Sequence, residues 1–176
     1  MSGKRILLGV AGGISAYKSV ALASLLVREG AEVRVILTEA AARFVTPLSF
    51  KGVTRGPVLV ETLALAGDGV GAHVSWGRWA QVTLVAPATA DLLGRMAAGL
   101  ANDLLAATLL CVRGRRILAP AMNQLLWEHP LVQRNLETLR SLGWEVAGPA
   151  TGRLADGDEG PGRMVEPEEL ARLALE

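Results

Sequence analysis

Short apolar runs recur along this chain, each cut off by glycine or proline and each followed by residues at helical spacing, which leaves few folds open to it. Arg5-Ile6-Leu7-Leu8-Gly9-Val10 stops at Ala11-Gly12-Gly13, predicting a buried strand and a tight turn. From Ile14 to Glu29 apolar residues return at Val20, Leu22, Leu25 and Leu26, and Gly30 supplies the stop, so a helix follows. Glu32–Leu37 predicts a second strand, Val82–Ala86 a third closed by Pro87, and Arg116–Ala119 a fourth closed by Pro120. Trp144–Val146 is a short fifth, and helices are expected near 89–96, 102–111, 131–142 and after Pro167. Strands this short and apolar must be covered on both faces. The alternation therefore implies an α/β chain, with an open, mostly parallel sheet between two layers of helices. Such sheets bind ligands beyond the carboxyl ends of their strands, and three of those ends are unusual here.

The first is Gly9-Val10-Ala11-Gly12-Gly13-Ile14-Ser15. Glycines let backbone approach a ligand, and the helix that follows offers unpaired N–H groups to an anion, with the Ser15 hydroxyl beside them. Lys18-Ser19 follows Gly12 at the spacing of a P-loop, but Tyr17 stands where that loop needs glycine, so an ATPase is rejected. The G-x-G-x-x-G pattern is missing, and the second strand ends in Leu37-Thr38 rather than in an acid for a ribose diol. A mononucleotide with a terminal phosphate suits the turn better than a dinucleotide, and a tight turn with no ligand is the competing reading. The second end, Ala86-Pro87-Ala88-Thr89-Ala90-Asp91, is a shelf of small residues with a hydroxyl at a helix N-cap, where a flat ring could lie. Taken alone, an ordinary N-cap is the favoured reading of it. The third, Ala119-Pro120-Ala121-Met122-Asn123, repeats that logic one strand later, and the Asn123 amide can meet a carboxylate without adding charge.

His73 follows the loop Ala66-Gly67-Asp68-Gly69-Val70-Gly71 and can titrate near neutrality, which makes it a general-base candidate or a surface residue at a helix start. His129, before Pro130, reads as a turn residue, and Cys111 as a buried thiol. Residues 148–163, dense in glycine and proline, read as a loop without structure of its own, serving as a substrate lid or a linker.

Composition narrows the function. The 176 residues suit one domain, 1–176, with a substantial core. Hydrophobic residues make up 51%, which excludes disorder, and a net charge of +1 argues against a nucleic-acid partner. A single cysteine excludes an internal disulfide, and two histidines leave little room for a metal. No run reaches the roughly 18 apolar residues of a membrane span, and Met1–Arg5 carries no leader pattern, so a cytoplasmic protein with no membrane partner is expected. Positive mean hydropathy with few aromatics fits an oligomer and a well-packed monomer equally.

Taken together, Gly-Gly-Ile-Ser-Ala-Tyr-Lys, His73 ahead of Trp79-Ala80, Ala-Pro-Ala-Thr-Ala, Ala-Asn-Asp-Leu-Leu, Ala-Pro-Ala-Met-Asn and Gly-Pro-Gly-Arg-Met-Val-Glu-Pro resemble the homo-oligomeric flavin-containing cysteine decarboxylases. The resemblance runs from about Lys4 to Leu170, and the Pro-Ala-Met-Asn stretch with an upstream histidine is its specific part. It implies a three-layer flavodoxin-like, Rossmann-like fold that binds FMN and assembles as a homotrimer or dodecamer. Gly12, Gly13, Ile14, Ser15, Thr38, Thr89, Ala90 and Ala121 would meet the FMN. His73 would be the base, Asn123 would hold the substrate carboxylate, and Met122 and Arg153 would also bind substrate. The implied substrate is phosphopantothenoylcysteine, a phosphorylated cysteine conjugate on the route to coenzyme A. Its cysteinyl end is oxidised to a thioaldehyde, loses CO2 to give an ene-thiolate, and is then reduced with a proton from a lid cysteine. A phosphopantothenoylcysteine synthetase domain or partner accompanies many bacterial members.

This chain departs from the family pattern at the lid, where Leu-Ala-Cys-Gly-Asp reads Leu154-Ala155-Asp156-Gly157-Asp158. Asp156, desolvated by closure, is expected to stay protonated and act as the acid. Trp76 replaces an aliphatic residue, and Asp91 and Leu92 stand where Asn and Thr often contact the flavin. Two other activities remain open on these residues: oxidative decarboxylation of a peptide C-terminal cysteine, which needs no lid acid, and a non-catalytic FMN-binding regulatory subunit.

Overall fold

Alternating residues along the central strands feed two separate cores, and this alternation sets the layers. The computed structural model describes residues 3–60, 71–155 and 157–176. β1 (Arg5–Val10), β2 (Glu32–Leu37), β3 (Val58–Leu59), β4 (Val82–Ala88), β5 (Arg115–Pro120) and β6 (Glu145–Val146) form one parallel sheet in the order β3-β2-β1-β4-β5-β6. On β1, Ile6, Leu8 and Val10 face one core, shared with Leu22 and Leu26 of α1 (Ala16–Arg28) and Leu170 of α9 (Pro167–Leu175). Phe50 of α3 (Pro47–Thr54) completes that side. Leu7 faces the other core. There it meets Trp76 of α4 (Ala72–Trp79), Leu93 of α5 (Ala90–Ala97), Leu105 of α6 (Leu104–Cys111) and Leu136 of α8 (Pro130–Ser141). Each such fully buried side chain contributes about 1.5–3 kcal/mol of transfer free energy. The result is the three-layer α/β fold implied by the alternation.

The strand order reverses between β1 and β4, since the chain moves outward to β2 and β3 and then returns on the far side of β1. A reversal of this kind leaves a crevice at the carboxyl ends of the two strands, because their following connections diverge to opposite faces.

Several local expectations need correction. α1 begins at Ala16, not Ile14, and Ile14 stands in the turn with 61% of its surface exposed. β4 does not close at Pro87 but runs through it to Ala88. Its pairing with β5 shifts register between Val85 and Ala88, and a bulge tolerates a residue with no N–H to give. The carbonyl of Ala86 accepts instead from the buried hydroxyl of Ser19, at 2.6 Å. Residues 148–163 are not a structureless loop, because β7 (Ala150–Arg153) and β8 (Glu159–Arg163) pair as an antiparallel hairpin. α2 (Glu39–Ala42), β3 and α7 (Gln124–Trp127), too short to show a period of their own, and the eight-residue α3 were not expected from the sequence.

Candidate functional site

Four strand ends and the hairpin enclose one cavity of about 1220 Å³ at the reversal point. Its floor is the turn between β1 and α1. A Cβ on Gly12 would lie 2.4 Å from the Cβ of Ala40 on α2, so packing on that helix already demands glycine there. Gly13 differs, since a Cβ would meet only the Thr89 methyl, at 3.4 Å, and the space beside it is open. Ser15 sits at the N-cap of α1, yet its hydroxyl makes no capping hydrogen bond. The first turn of α1 therefore keeps its positive dipole end and an uncommitted hydroxyl facing the same cavity.

The other ends are held by caps. The Thr38 hydroxyl oxygen accepts from the Ala41 amide at 3.0 Å, and that of Thr89 from the Leu92 amide at 3.4 Å. Each hydroxyl so engaged still has a proton to donate. Asn123 Oδ1 accepts from the Leu125 amide at 2.8 Å and caps α7, a single turn with no buried residue. The hairpin docks on this same end, where the Met122 amide donates to the Gly162 carbonyl at 3.0 Å. A Cβ at Gly162 would fall 2.2 Å from the Met122 carbonyl oxygen, and its φ of +144° also favours glycine.

Charge at the rim is mostly neutralised. Arg95 Nε donates to Asp91 at 3.0 Å, and its Nη1 donates to Asn102 at 3.1 Å and Asp103 at 2.6 Å. Burial opposes the charge on Arg95, but Asp103 and Asp91 outweigh it and hold the guanidinium above its ordinary value. Lys18 and Arg163 both donate to Glu166 Oε1, each at 2.8 Å. Chiefly through the hydrogen bond from Lys18, the Glu166 carboxyl lies below the usual glutamate range.

Of the residues singled out from sequence, Gly12, Gly13, Ile14, Ser15, Thr38 and Thr89 line this cavity, as do Ala90, Ala121, Met122, Asn123 and Arg153. His73 does not. It lies on α4, the helix packed against α6, with its ring beside Gly71, where an added Cβ would be 2.7 Å from it. Asp156 and residues 66–70 of the loop before His73 fall outside the described residues, although Leu154 and Ala155 line the cavity. Leu92 is fully buried core, while Asp91 stands at the rim with Arg95. Cys111 ends α6 half-buried rather than buried, and His129 caps α8 through Nδ1. Trp76 is buried beside the guanidinium of Arg34, which stacks on Trp79 at 4.1 Å. Sequence reasoning missed Arg95, Lys18 and Arg163 as cavity residues. Only the acid three residues after Arg163 and the acids flanking Arg95 could have hinted at their pairing.

The profile of the family described as Flavoprotein matches residues 1–175. The "Coenzyme A biosynthesis bifunctional protein CoaBC" of Vibrio cholerae serotype O1 is 47% identical over 170 residues, covering 97% of this chain and 43% of the relative. This chain thus spans less than half the length of the curated relative it matches. A solved "PPC decarboxylase" mutant complexed with pantothenoylaminoethenethiol superposes with a TM-score of 0.89 at 31% identity, covering 97% of this chain and 96% of that one. The FMN-dependent cysteine decarboxylase SpaF superposes with a TM-score of 0.85 at 32% identity, covering 99% and 96%.

Proposed function

Because the chain belongs to the flavoprotein family, we propose that it binds FMN at the reversal point. There it decarboxylates phosphopantothenoylcysteine to phosphopantetheine, a step of coenzyme A synthesis. The observation that carries this reading is the pairing, in one cavity, of an uncapped helix start with a shelf and an amide. The α1 start and Ser15 are built for a phosphate, while Thr89-Ala90, Ala121 and Asn123 suit a flat ring and a carboxylate. These residues fit FMN by their chemistry. Gly12, Gly13, Ile14 and Ser15 would hold its phosphate through N–H and hydroxyl donors, and Thr38, Thr89, Ala90 and Ala121 would hold the rest. When bound, FMN supplies the two-electron oxidation and reduction that let a cysteine carboxylate leave as CO2.

The chain's own residues supply position and protons. Asn123 holds the substrate carboxylate with a neutral amide. A cation there would stabilise the carboxylate more than the departing CO2, so neutrality favours reaction. His73 takes a proton from the cysteinyl end. It lies off the cavity of its own chain, so in a homotrimer or dodecamer it serves the cavity of a neighbouring subunit. Asp156 follows Leu154 and Ala155, whose apolar side chains line the cavity. In this reading Asp156 takes the place of the lid cysteine as the acid that returns the final proton at carbon. The relative's bifunctional name and greater length support a synthetase domain or partner. No helix among the described residues is long and apolar enough to cross a membrane, in keeping with action in the cytoplasm.

Anaerobic incubation of the FMN-loaded protein with phosphopantothenoylcysteine, followed by mass spectrometry, tests the reading. Loss of CO2 alone is expected. Loss of CO2 with two further hydrogens would show a reaction that stops at the ene-thiol, with no acid at position 156. Unchanged substrate would overturn the reading in favour of a peptide substrate or a regulatory subunit. His73→Asn should stay yellow and lose decarboxylation, and undiminished turnover would remove His73 from the mechanism.

A further inference from the structure

The helix that carries His73 is seated on the sheet by a charge. Arg34 of β2 pairs with Leu7 of β1, so its side chain leaves the sheet on the face of Leu7 and Ile36, toward the core under α4. Its guanidinium carbon lies 4.1 Å from the centre of the Trp79 ring and 5.4 Å from that of Trp76. Trp76 is buried, and Trp79 packs against the same core. Other compensation is thin among the described residues. Arg34 Nε is buried without a hydrogen-bond partner, and the Glu32 carboxylate comes no closer than 4.0 Å. Burial chiefly holds the guanidinium below its ordinary value, with Glu32 opposing this and Arg5 adding to it. A charge kept in such a place depends on the ring faces, whose attraction for a cation strengthens when water is excluded.

That contact fixes how α4 lies. His73, Trp76 and Trp79 follow at intervals of three, so each neighbours the next along the helix surface. Before Trp76 only Ala72 is buried, and Gly71 gives no side-chain cap, so the helix is held mainly from its second half. There Gly77 lets it meet α6 closely, since a Cβ would fall 2.8 Å from that of Cys111. One such contact leaves a helix free to tilt about it, and the stack on Arg34 supplies a second, from the sheet. His73 lies about 9 Å along the axis from Trp79, so a tilt at the rings is carried to the imidazole. Trp76, where the family pattern has an aliphatic residue, adds the second ring.

We propose that Arg34 is a positioning residue for His73. Through its stack on Trp76 and Trp79 it sets the seat of α4, and so the place from which the imidazole acts. The inference rests on the reading of His73 as the base, and it says what holds that base in position.

The test compares FMN-loaded wild type, Arg34→Met, Arg34→Lys and Trp76→Leu in steady-state turnover of phosphopantothenoylcysteine. Arg34→Met keeps length and apolar packing but removes the cation, and should lower kcat about 3- to 30-fold, the range a desolvated cation–π contact allows. KM and flavin content should stay near wild type, because Arg34 does not line the cavity. Arg34→Lys should recover part of the loss, and Trp76→Leu, which leaves the Trp79 ring, should lose less than Arg34→Met. A second readout needs no turnover. The chain has two histidines, and His129 caps another helix, so labelling of His73 by diethyl pyrocarbonate can be read against His129 in peptide mass spectra. Arg34→Met should label several-fold faster at His73 alone. Unchanged kcat and unchanged labelling in Arg34→Met would overturn the inference. So would a loss shared by KM and flavin content, which marks general loosening, or an Arg34→Lys variant no better than Arg34→Met, which marks packing rather than charge. If His73→Asn keeps its turnover, the base assignment falls by itself, and the labelling still decides whether Arg34 seats the helix.

Discussion

The ends of β4 and β5 share the run Ala-Pro-Ala and part company immediately after it. Along β4 all seven residues are buried, and Thr89 then caps a helix whose Leu92, Leu93 and Met96 are core. The bulge at Pro87 is braced from below by the Ser19 hydroxyl. After β5, Asn123 caps a single turn with no buried residue, tied to the hairpin by a backbone bond and by the packing of Gly160 against Gln124, and to α8 through the Trp127 carbonyl. One end is rigid because the core holds it. The other is only partly buried, leans on the hairpin and on α8, and presents a polar amide. A shelf for a tightly held ring needs the first kind of support, and a contact that must accept substrate and release product suits the second.

Four substitutions break or sharpen that contrast. Asn123→Ala should have the largest effect, lowering kcat/KM by about 10²- to 10³-fold, as for loss of a single positioned donor. FMN content should be unchanged, because the β4 shelf is untouched, and steady-state assays with flavin absorbance would read both. Ser19→Ala comes next. It orphans the Ala86 carbonyl in a buried bulge, costing about 1–3 kcal/mol, and each kcal/mol should lower Tm by about 2–4 °C. Calorimetric melts should show this loss with the protein still able to bind FMN, more weakly.

Thr89→Ala removes a cap whose hydrogen bond is already long, so about 0.5–1 kcal/mol is expected in urea titrations. Glu166→Gln should have the smallest effect, at most about 1 kcal/mol, since this carboxylate is half exposed. Its sign with pH is fixed. The Glu166 carboxyl is lowered in the folded chain, so its contribution is present above the ordinary glutamate value and is lost as pH falls through the folded one. Wild type and Glu166→Gln should therefore differ near neutrality and converge in acid, which denaturation at several pH values would show.

Much of this contrast was legible in the residues and some was not. The Pro-Ala runs, the glycine turn and the caps at Thr89 and Asn123 are local features. Each is fixed by neighbours within a turn, so residue type and spacing reveal it. The glycines taught a finer lesson. Gly12 and Gly13 read alike in sequence, yet packing on Ala40 explains the first and an open cavity wall the second. The hairpin was hidden because glycine and proline suppress the alternation that marks a strand, and β8 is Glu-Gly-Pro-Gly-Arg. The Lys18-Ser19 pair looked like a broken phosphate loop. Its serine instead braces β4 and its lysine holds Glu166.

The sequence alone determined the alternation of strands and helices, the two-sided burial of the sheet and the strand ends where small residues gather. All of these follow from periods of 2 and 3.6 residues and from backbone preferences that act within a few positions. The tertiary structure decided which strand ends meet, and how the rim charges pair. Ser19 reaches a carbonyl 67 residues away and Lys18 a carboxylate 148 residues away, and no local pattern encodes such distances. It also set His73 off the cavity of its own chain, because the order in which strands join the sheet determines which faces, and which charges, come together.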